Sequence, residues 1–240
     1  MATYKGIQGY SVQKLSSDPT ASEVEGQLFY NSTTGKFKIP VAGAGAWSSG
    51  TAFNSPRSYG VGTGTTTATL LASGQPPPSG TANVESYDGS TWTELSANLN
   101  TGRINATGQG TQTASLFAAG STGSPSVLTE IWNGTSWTES NDFNTGRYGL
   151  GGAGTSTAAL AFGGTTSVIS ILTEEWDGTS WTEKGDLGTA RYYLGGFGTT
   201  TAAIAATGNE GTTYIAVTES FNGTSWTEVN DVPTPRQNAG

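Results

Sequence analysis

Residues 173–183 read Thr173-Glu174-Glu175-Trp176-Asp177-Gly178-Thr179-Ser180-Trp181-Thr182-Glu183. This stretch carries the clearest signal of the fold. It places an Asp-Gly pair between aromatic and β-branched residues. Such a pair is a strong signal of a β-hairpin, because a type I′ turn needs positive φ at both central positions. We therefore predict a hairpin with a type I′ turn over this stretch.

The same pattern returns along the chain, with Asp-Gly or Asn-Gly at residues 88–89, 133–134 and 222–223. Tryptophans recur at intervals of 45, 45, 44 and 45 residues: Trp47, Trp92, Trp137, Trp181 and Trp226. An arginine follows each of them: Arg57, Arg103, Arg147, Arg191 and Arg236. Two residue types at a fixed spacing indicate a tandem repeat, which we divide into units 57–102, 103–146, 147–190 and 191–235, with a partial unit 236–240.

Each unit reads as four short strands. A glycine-spaced stretch such as residues 194–198 is followed by a Thr/Ala-rich apolar run such as residues 201–206, and the hairpin supplies two more strands. About 45 residues with four strands match one blade of a β-propeller, in which radial repetition protects the strand edges. We predict an all-β fold, with at least four propeller blades in residues 51–240.

The units resemble kelch repeats. The resemblance lies in glycines after an apolar strand, as in Phe162-Gly163-Gly164, and in two aromatic residues a few positions apart later in the unit. The other units carry Ser73-Gly74, Ala119-Gly120 and Thr207-Gly208 at the glycine position. The resemblance implies four-stranded blades and, as one possible function, a protein-interaction scaffold inside the cell or on its surface.

Residues 1–50 lie outside the full repeat units, and residues 25–38 within them read as one further hairpin closed by a Gly-containing turn. This segment resembles the leader of bacteriophage tail-fibre and other virion appendage proteins. The resemblance implies a location in the virion, with residues 1–50 as an anchoring segment that contacts other virion proteins.

The composition excludes several classes of function. The chain has no cysteine and no histidine, which removes disulfides, the usual zinc ligands and the imidazole base. A net charge of −8 without any basic run argues against nucleic acid as a partner. We predict no signal peptide, no membrane span, no metal and no cofactor.

Carboxylates are the remaining acid–base candidates, but they recur at equivalent places in the units: Glu85, Glu130, Glu174 and Glu219, then Glu94, Glu139, Glu183 and Glu228. A catalytic pair must be unique in geometry and pKa, whereas a fourfold residue is explained by the architecture. We predict a non-enzymatic protein in which the glutamates pair with the recurring arginines. An arginine cluster for an anionic ligand is the alternative.

Binding residues should differ between units, and the segments after the second strand do differ. Loops on a rigid scaffold are where recognition resides. The candidates for ligand binding are Gln75, Tyr192, Tyr193, Asn209 and Tyr214. The expected ligand is a glycan or protein of a host surface.

The favoured function is a virion appendage that presents propeller loops for host attachment, with a homo-oligomeric assembly. A kelch-like scaffold is the alternative, and a glycan-processing enzyme is a third. Because residues 45–57 match only the last strand of a unit and 236–240 only the first, either more chain follows Gly240, or the ring is open or closed by another molecule.

Overall fold

A computed structural model describes residues 13–15, 29–38, 49–75 and 80–238. The chain divides into two compact units, Met1–Gly50 and Thr51–Gly240. Trp47 and the last two residues of the chain lie outside the described parts, so the predictions made for them have no structural counterpart here.

The amino-terminal unit contains a three-stranded sheet. Strands β2 (Phe29–Asn31) and β3 (Lys36–Lys38) form an antiparallel hairpin, and Gly35 in the turn has φ of 67°. The predicted hairpin is therefore present. Strand β1 (Gln13–Leu15) pairs with β2 in parallel, which the sequence pattern did not predict.

The second unit consists of four blades of a β-propeller, each a four-stranded antiparallel sheet whose strands follow one another in order. This confirms the predicted fold class. The first two blades contain β4 (Val61–Thr65), β5 (Ala68–Ala72), β6 (Val84–Tyr87) and β7 (Trp92–Glu94), and then β8 (Thr107–Thr111), β9 (Ala114–Ala118), β10 (Thr129–Trp132) and β11 (Trp137–Glu139). The third blade contains β12 (Gly151–Gly154), β13 (Ala159–Phe162), β14 (Thr173–Trp176) and β15 (Trp181–Glu183). The fourth blade contains β16 (Gly195–Thr199), β17 (Ala202–Ala206), β18 (Thr218–Phe221) and β19 (Trp226–Val229).

The core of this unit lies between successive blades. The first strands pack in the order β4, β8, β12 and β16, which makes them the innermost strands. Apolar clusters fill the spaces between blades, and each holds a leucine of a second strand: Leu70, Leu116 and Leu160. All three leucines are buried. Each blade is therefore stabilised mainly by its neighbours.

The first and last blades each keep one face open. Among the described strands, no comparable packing joins β16 to β4. Gln109 and Ala153 are buried at the third position of β8 and β12, whereas Phe197 at the equivalent position of β16 is 58% exposed. The difference arises because each of the first two residues is covered by the following blade.

The turn type predicted from the Asp-Gly and Asn-Gly pairs is wrong. Gly178 has φ of 97°, but Asp177 is not at positive φ, and the loop spans the four residues between Trp176 and Trp181. The Asp177 carboxylate instead accepts the N–H groups of Thr179 and Ser180, both at 2.8 Å. These side-chain hydrogen bonds fix the loop, so only the glycine needs positive φ. The same bonds recur at Asp88, Asn133 and Asn222.

The two aromatics of each hairpin face one another across it, with ring centroids 5.0–5.5 Å apart. The outer tryptophan also reaches the preceding blade. Trp181 Nε1 donates to Thr129 Oγ1 at 3.0 Å, and Trp226 Nε1 donates to Thr173 Oγ1 at 2.9 Å. The acceptor is in each case the first residue of the preceding blade's third strand, so the indole joins two blades by packing and by a hydrogen bond.

The interface between the first and second blades lacks this indole hydrogen bond. Val84 occupies the acceptor position in β6, and the buried Trp137 Nε1 has no hydrogen-bond partner among the described residues. A buried donor without a partner costs about 1–3 kcal/mol.

The substitution Val84→Thr should therefore stabilise the fold. A threonine hydroxyl at this position would accept the Trp137 indole N–H, and we expect the free energy of unfolding to rise by about 1 kcal/mol. Thr129→Val is the matched control, because it should leave Trp181 without its acceptor and lower stability by about 1–3 kcal/mol. Urea unfolding followed by tryptophan fluorescence measures both. Two changes of the same sign would contradict this account of the interface.

The loop carboxylates should make stability depend on acid. The N–H groups of Thr91 and Ser90 lower the pKa of Asp88, and those of Ser180 and Thr179 lower the pKa of Asp177. A lowered pKa stabilises the folded state at neutral pH, and that contribution is lost as the pH falls below about 4 through the folded-state pKa.

The double variant Asp88→Asn, Asp177→Asn should keep the loops, because asparagine accepts the same bonds in the other two blades. Its urea midpoint should fall less between pH 7 and about pH 3 than that of the parent protein. The reverse pair, Asn133→Asp with Asn222→Asp, should make the fall steeper. Equal pH dependence in all three proteins would count against the assignment.

Candidate functional site

Each blade contains one buried ion pair between the recurring arginine and the glutamate of its third strand. The pairs are Arg57 with Glu85, Arg103 with Glu130, Arg147 with Glu174 and Arg191 with Glu219. In each pair both side chains are at most 3% exposed. The arginines also donate to backbone carbonyls near the strand ends, as Arg103 does to Phe117 and Leu128.

The second carboxylate oxygen of each glutamate is also occupied. It accepts a backbone N–H of the segment that precedes the arginine, at 2.7–2.8 Å: Asn54, Asn100, Asn144 and Gly188. A carboxylate held on both oxygens and shielded from solvent has a structural role and is closed to a substrate. The recurring arginines point into the blades and form no exposed cluster, except that Arg236 is exposed.

Burial and neighbouring groups act against each other on the pKa of Glu174 and of Glu85, and the net shifts have opposite directions. Burial raises the pKa of Glu174, although the N–H of Asn144 and the charge of Arg147 oppose it. At Glu85 burial acts in the same direction, but hydrogen bonds from Asn54 and the charge of Arg57 outweigh it and lower the pKa. The ion pair is therefore kept in both blades, although burial dominates the pKa at Glu174 and the hydrogen bonds and arginine charge dominate it at Glu85.

Two residues after each arginine, the chain turns at the propeller axis in the left-handed conformation. The residues are Tyr59, Asn105, Gly149, Tyr193 and Asn238, with φ between 52° and 69°. Each N–H from Asn105 onward donates to the carbonyl of the preceding member, at 2.7–3.4 Å. We call this series the axial residues. Non-glycine residues rarely adopt this conformation, and such strain clusters at functional sites.

The axial residues line a cavity of about 510 Å³, together with Ser58, Gly60, Ala106, Leu150 and Leu194. All four blades contribute to it. Its volume lies within the range of small-molecule sites. None of the lining residues carries a charge.

Tyr193 is the most closely surrounded of the axial side chains. Its ring lies against Gly149, where an added Cβ would come within 3.0 Å of it, and its hydroxyl is 3.4 Å from Asn105 Nδ2. Burial and the nearby hydroxyls of Tyr148, Tyr59 and Tyr192 raise the pKa of Tyr193. Tyr59, Tyr148 and Tyr192 thus lie close to Tyr193.

The five candidate residues lie in two blades. Tyr193 lines the axial cavity, and the ring centroids of Tyr192 and Tyr193 are 4.7 Å apart. Tyr192 pairs with Asn209, which in turn pairs with Tyr214, so these three lie side by side. Tyr214 is exposed, while Asn209 is 9% exposed, with its carboxamide bonded to Gln237 and Gly211. Gln75 lies in the first blade, beside a second cavity of about 350 Å³. Their role in binding stays a prediction.

The sequence reasoning missed Tyr59, Asn105 and Asn238. The available signal was their position, two residues after an invariant arginine, where the residue type changes from unit to unit.

The fold defines the class: the protein is a repeat protein of the β-propeller type, with blades consistent with kelch-like repeats. No protein-family model matches the chain, and no curated protein matches it significantly. In the described ranges, no cluster of three or more acidic residues could hold a metal ion. No helix long and apolar enough to cross a membrane occurs in the part of the chain that the structure describes.

The left-handed conformation of Tyr193 gives a test of the axial series. Tyr193→Gly and Tyr193→Ala remove the same ring, but only glycine adopts φ of 53° without strain. We expect the glycine variant to be more stable than the alanine variant by about 1 kcal/mol. The same order should hold for Tyr59→Gly against Tyr59→Ala. Thermal unfolding measures both pairs, and alanine variants as stable as glycine variants would contradict the assigned backbone.

Proposed function

We propose that the protein is a non-catalytic recognition module of a virion appendage, which attaches to a host surface through the face around its propeller axis. This face, the axial face, consists of the axial residues and the described residues of the loops that follow the second strand of each blade. The amino-terminal segment, residues 1–50, would anchor the module to other virion proteins.

One contrast supports the recognition half of this proposal. Positions that repeat between blades, the ion pairs and the outer tryptophans, are engaged in holding blades together. Positions that differ between blades gather on the axial face, where Tyr59 and Tyr214 are 50% and 52% exposed. Variation on a shared rigid scaffold is the usual arrangement of a binding surface.

The virion half rests on the leader resemblance of residues 25–38. It accords with a polar chain that contains no cysteine.

A protein-interaction scaffold is the second candidate, and one observation favours it. Val168 is 71% exposed on the loop of the third blade, and the neighbouring Ile171 is 38% exposed. The adjacent loop of the fourth blade lies close by, since a Cβ at Gly211 would be 3.1 Å from Ile169. Exposed aliphatic residues beside exposed tyrosines suit a protein partner better than a glycan.

Two measurements test the proposal. Mass spectrometry of purified particles should detect the chain, and its absence would overturn the virion half. The isolated full chain should bind host cells, and the double variant Tyr192→Ala, Tyr214→Ala should bind about tenfold more weakly, a loss of about 1.4 kcal/mol.

Thr135→Ala is the control for the binding assay, because Thr135 is exposed in an outer hairpin loop away from this face. Cell binding that both variants reduce equally, or that neither reduces, would remove the axial face from the function. Substitution of Val168 by Asp separates the candidates: it should leave glycan-mediated attachment intact and abolish binding to a protein partner.

A further inference from the structure

We infer that the axial cavity is a binding site for a neutral sugar, with Tyr59 and Tyr193 as its aromatic contacts and Asn105 and Asn238 as its polar contacts. The inference rests on the proposed recognition function and names the ligand class of its central site. It concerns the cavity itself, whereas attachment as a whole also involves the surrounding loops.

The first argument is the strain at the two tyrosines. The backbone here requires a left-handed residue, and the third blade meets that requirement with Gly149. Tyr59 and Tyr193 hold the same conformation at a cost that glycine would avoid. A structural role does not explain Tyr59, because its side chain is half exposed. The Tyr59 ring is instead explained if it contacts something in the cavity, which the Tyr193 ring also lines.

The second argument concerns the hydrogen-bonding groups. The backbone N–H groups of the axial residues from Asn105 to Asn238 are already used in bonds between neighbouring blades. The lining side chains carry the polar groups that a ligand could contact: tyrosine hydroxyls, the carboxamides of Asn105 and Asn238, and the Ser58 hydroxyl. Within this set, Asn105 Nδ2 donates to the Tyr193 hydroxyl at 3.4 Å. Each of these groups both donates and accepts hydrogen bonds. A sugar ring offers hydroxyls of the same dual character.

The third argument is charge. The cavity lining contains no charged residue, and four of the five recurring arginines are buried in ion pairs with the glutamates of their blades. The fifth, Arg236, is exposed but does not line the cavity. The chain as a whole carries a net charge of −8, which repels anions. An anionic ligand would therefore meet no partner charge in the cavity, and a neutral ligand is favoured.

The fourth argument is shape. Aromatic rings beside polar groups in one cavity suit a ligand with an apolar face and a polar rim. A pyranose has C–H groups on its faces and hydroxyls around its edge. The cavity volume of about 510 Å³ is sufficient for one or two such rings.

The experiment uses the full chain and saturation-transfer NMR with glucose, galactose, mannose, N-acetylglucosamine and, as a charged probe, sialic acid. We expect at least one neutral sugar to bind at millimolar concentrations and sialic acid to bind more weakly. Tyr193→Gly should lower the affinity for that sugar about tenfold or more. The fold should survive this substitution because glycine suits the backbone there, and a thermal melt checks that it does.

Thr135→Ala is the matched control, since Thr135 is exposed in an outer hairpin loop and does not line the cavity, and it should leave sugar binding unchanged. Phenol serves as an aromatic probe without a sugar's hydroxyls. Binding of phenol without any sugar, stronger binding of sialic acid, absence of all binding, or sugar binding that a folded Tyr193→Gly variant retains would each overturn the inference.

The two proposals fail separately. If sugar binding depends on Tyr193 but cell attachment does not occur, the cavity is assigned correctly and the attachment function is wrong. If cell attachment depends on Tyr192 and Tyr214 while no free sugar binds, the attachment function stands and the sugar site is wrong.

Discussion

The buried glutamate of each third strand is the point on which the blades depend. Glu174 shows the arrangement: one oxygen accepts the Asn144 N–H at 2.8 Å, and the other pairs with Arg147 at 3.1 Å. Asn144 and Arg147 lie in the segment that enters the blade from the preceding one. One carboxylate therefore fixes where the chain arrives and where its next strand begins. Loss of either member of the ion pair, Arg147 or Glu174, would leave an uncompensated charge in the interior, which typically costs about 3–5 kcal/mol.

That constraint also determines the geometry of the axis. Because the arginine is fixed, the residue two positions later reaches the axis in every unit, and its N–H meets the carbonyl of the unit before. The backbone of the axial residues is thus dictated by the repeat, while their side chains are not. Tyrosine, asparagine and glycine all occupy the same left-handed conformation. The architecture holds the backbone of the cavity constant and leaves its chemistry to vary.

The sequence predicted what repeats and missed what depends on local geometry. Period, blade size, strand count and the facing aromatic pairs all follow from regular spacing, which one chain displays several times over. The type I′ turn was wrong because the pattern shows Asp177 beside Gly178 but not the N–H bonds to its carboxylate that fix a longer loop. Strand β1 was missed because a three-residue parallel pairing has no periodic signal. Tyr59 and Asn105 were missed because convergence at an axis is a property of the assembled blades.

Departures from the repeat are the most informative positions, and they fall into two kinds. Val84 leaves a buried indole N–H without a partner, and the buried hydroxyl of Thr207 has no partner among the described residues. Neither side chain reaches solvent, so neither has a compensating use in contact with a ligand, and both read as uncorrected losses of stability. Tyr59 and Tyr193 also depart at a cost, but they do so at the mouth of a cavity where a ligand can reach them. Backbone strain at an accessible residue can be offset by contacts with a ligand, whereas strain at a buried residue cannot. The axial residues are therefore better candidates for function than the buried irregular positions.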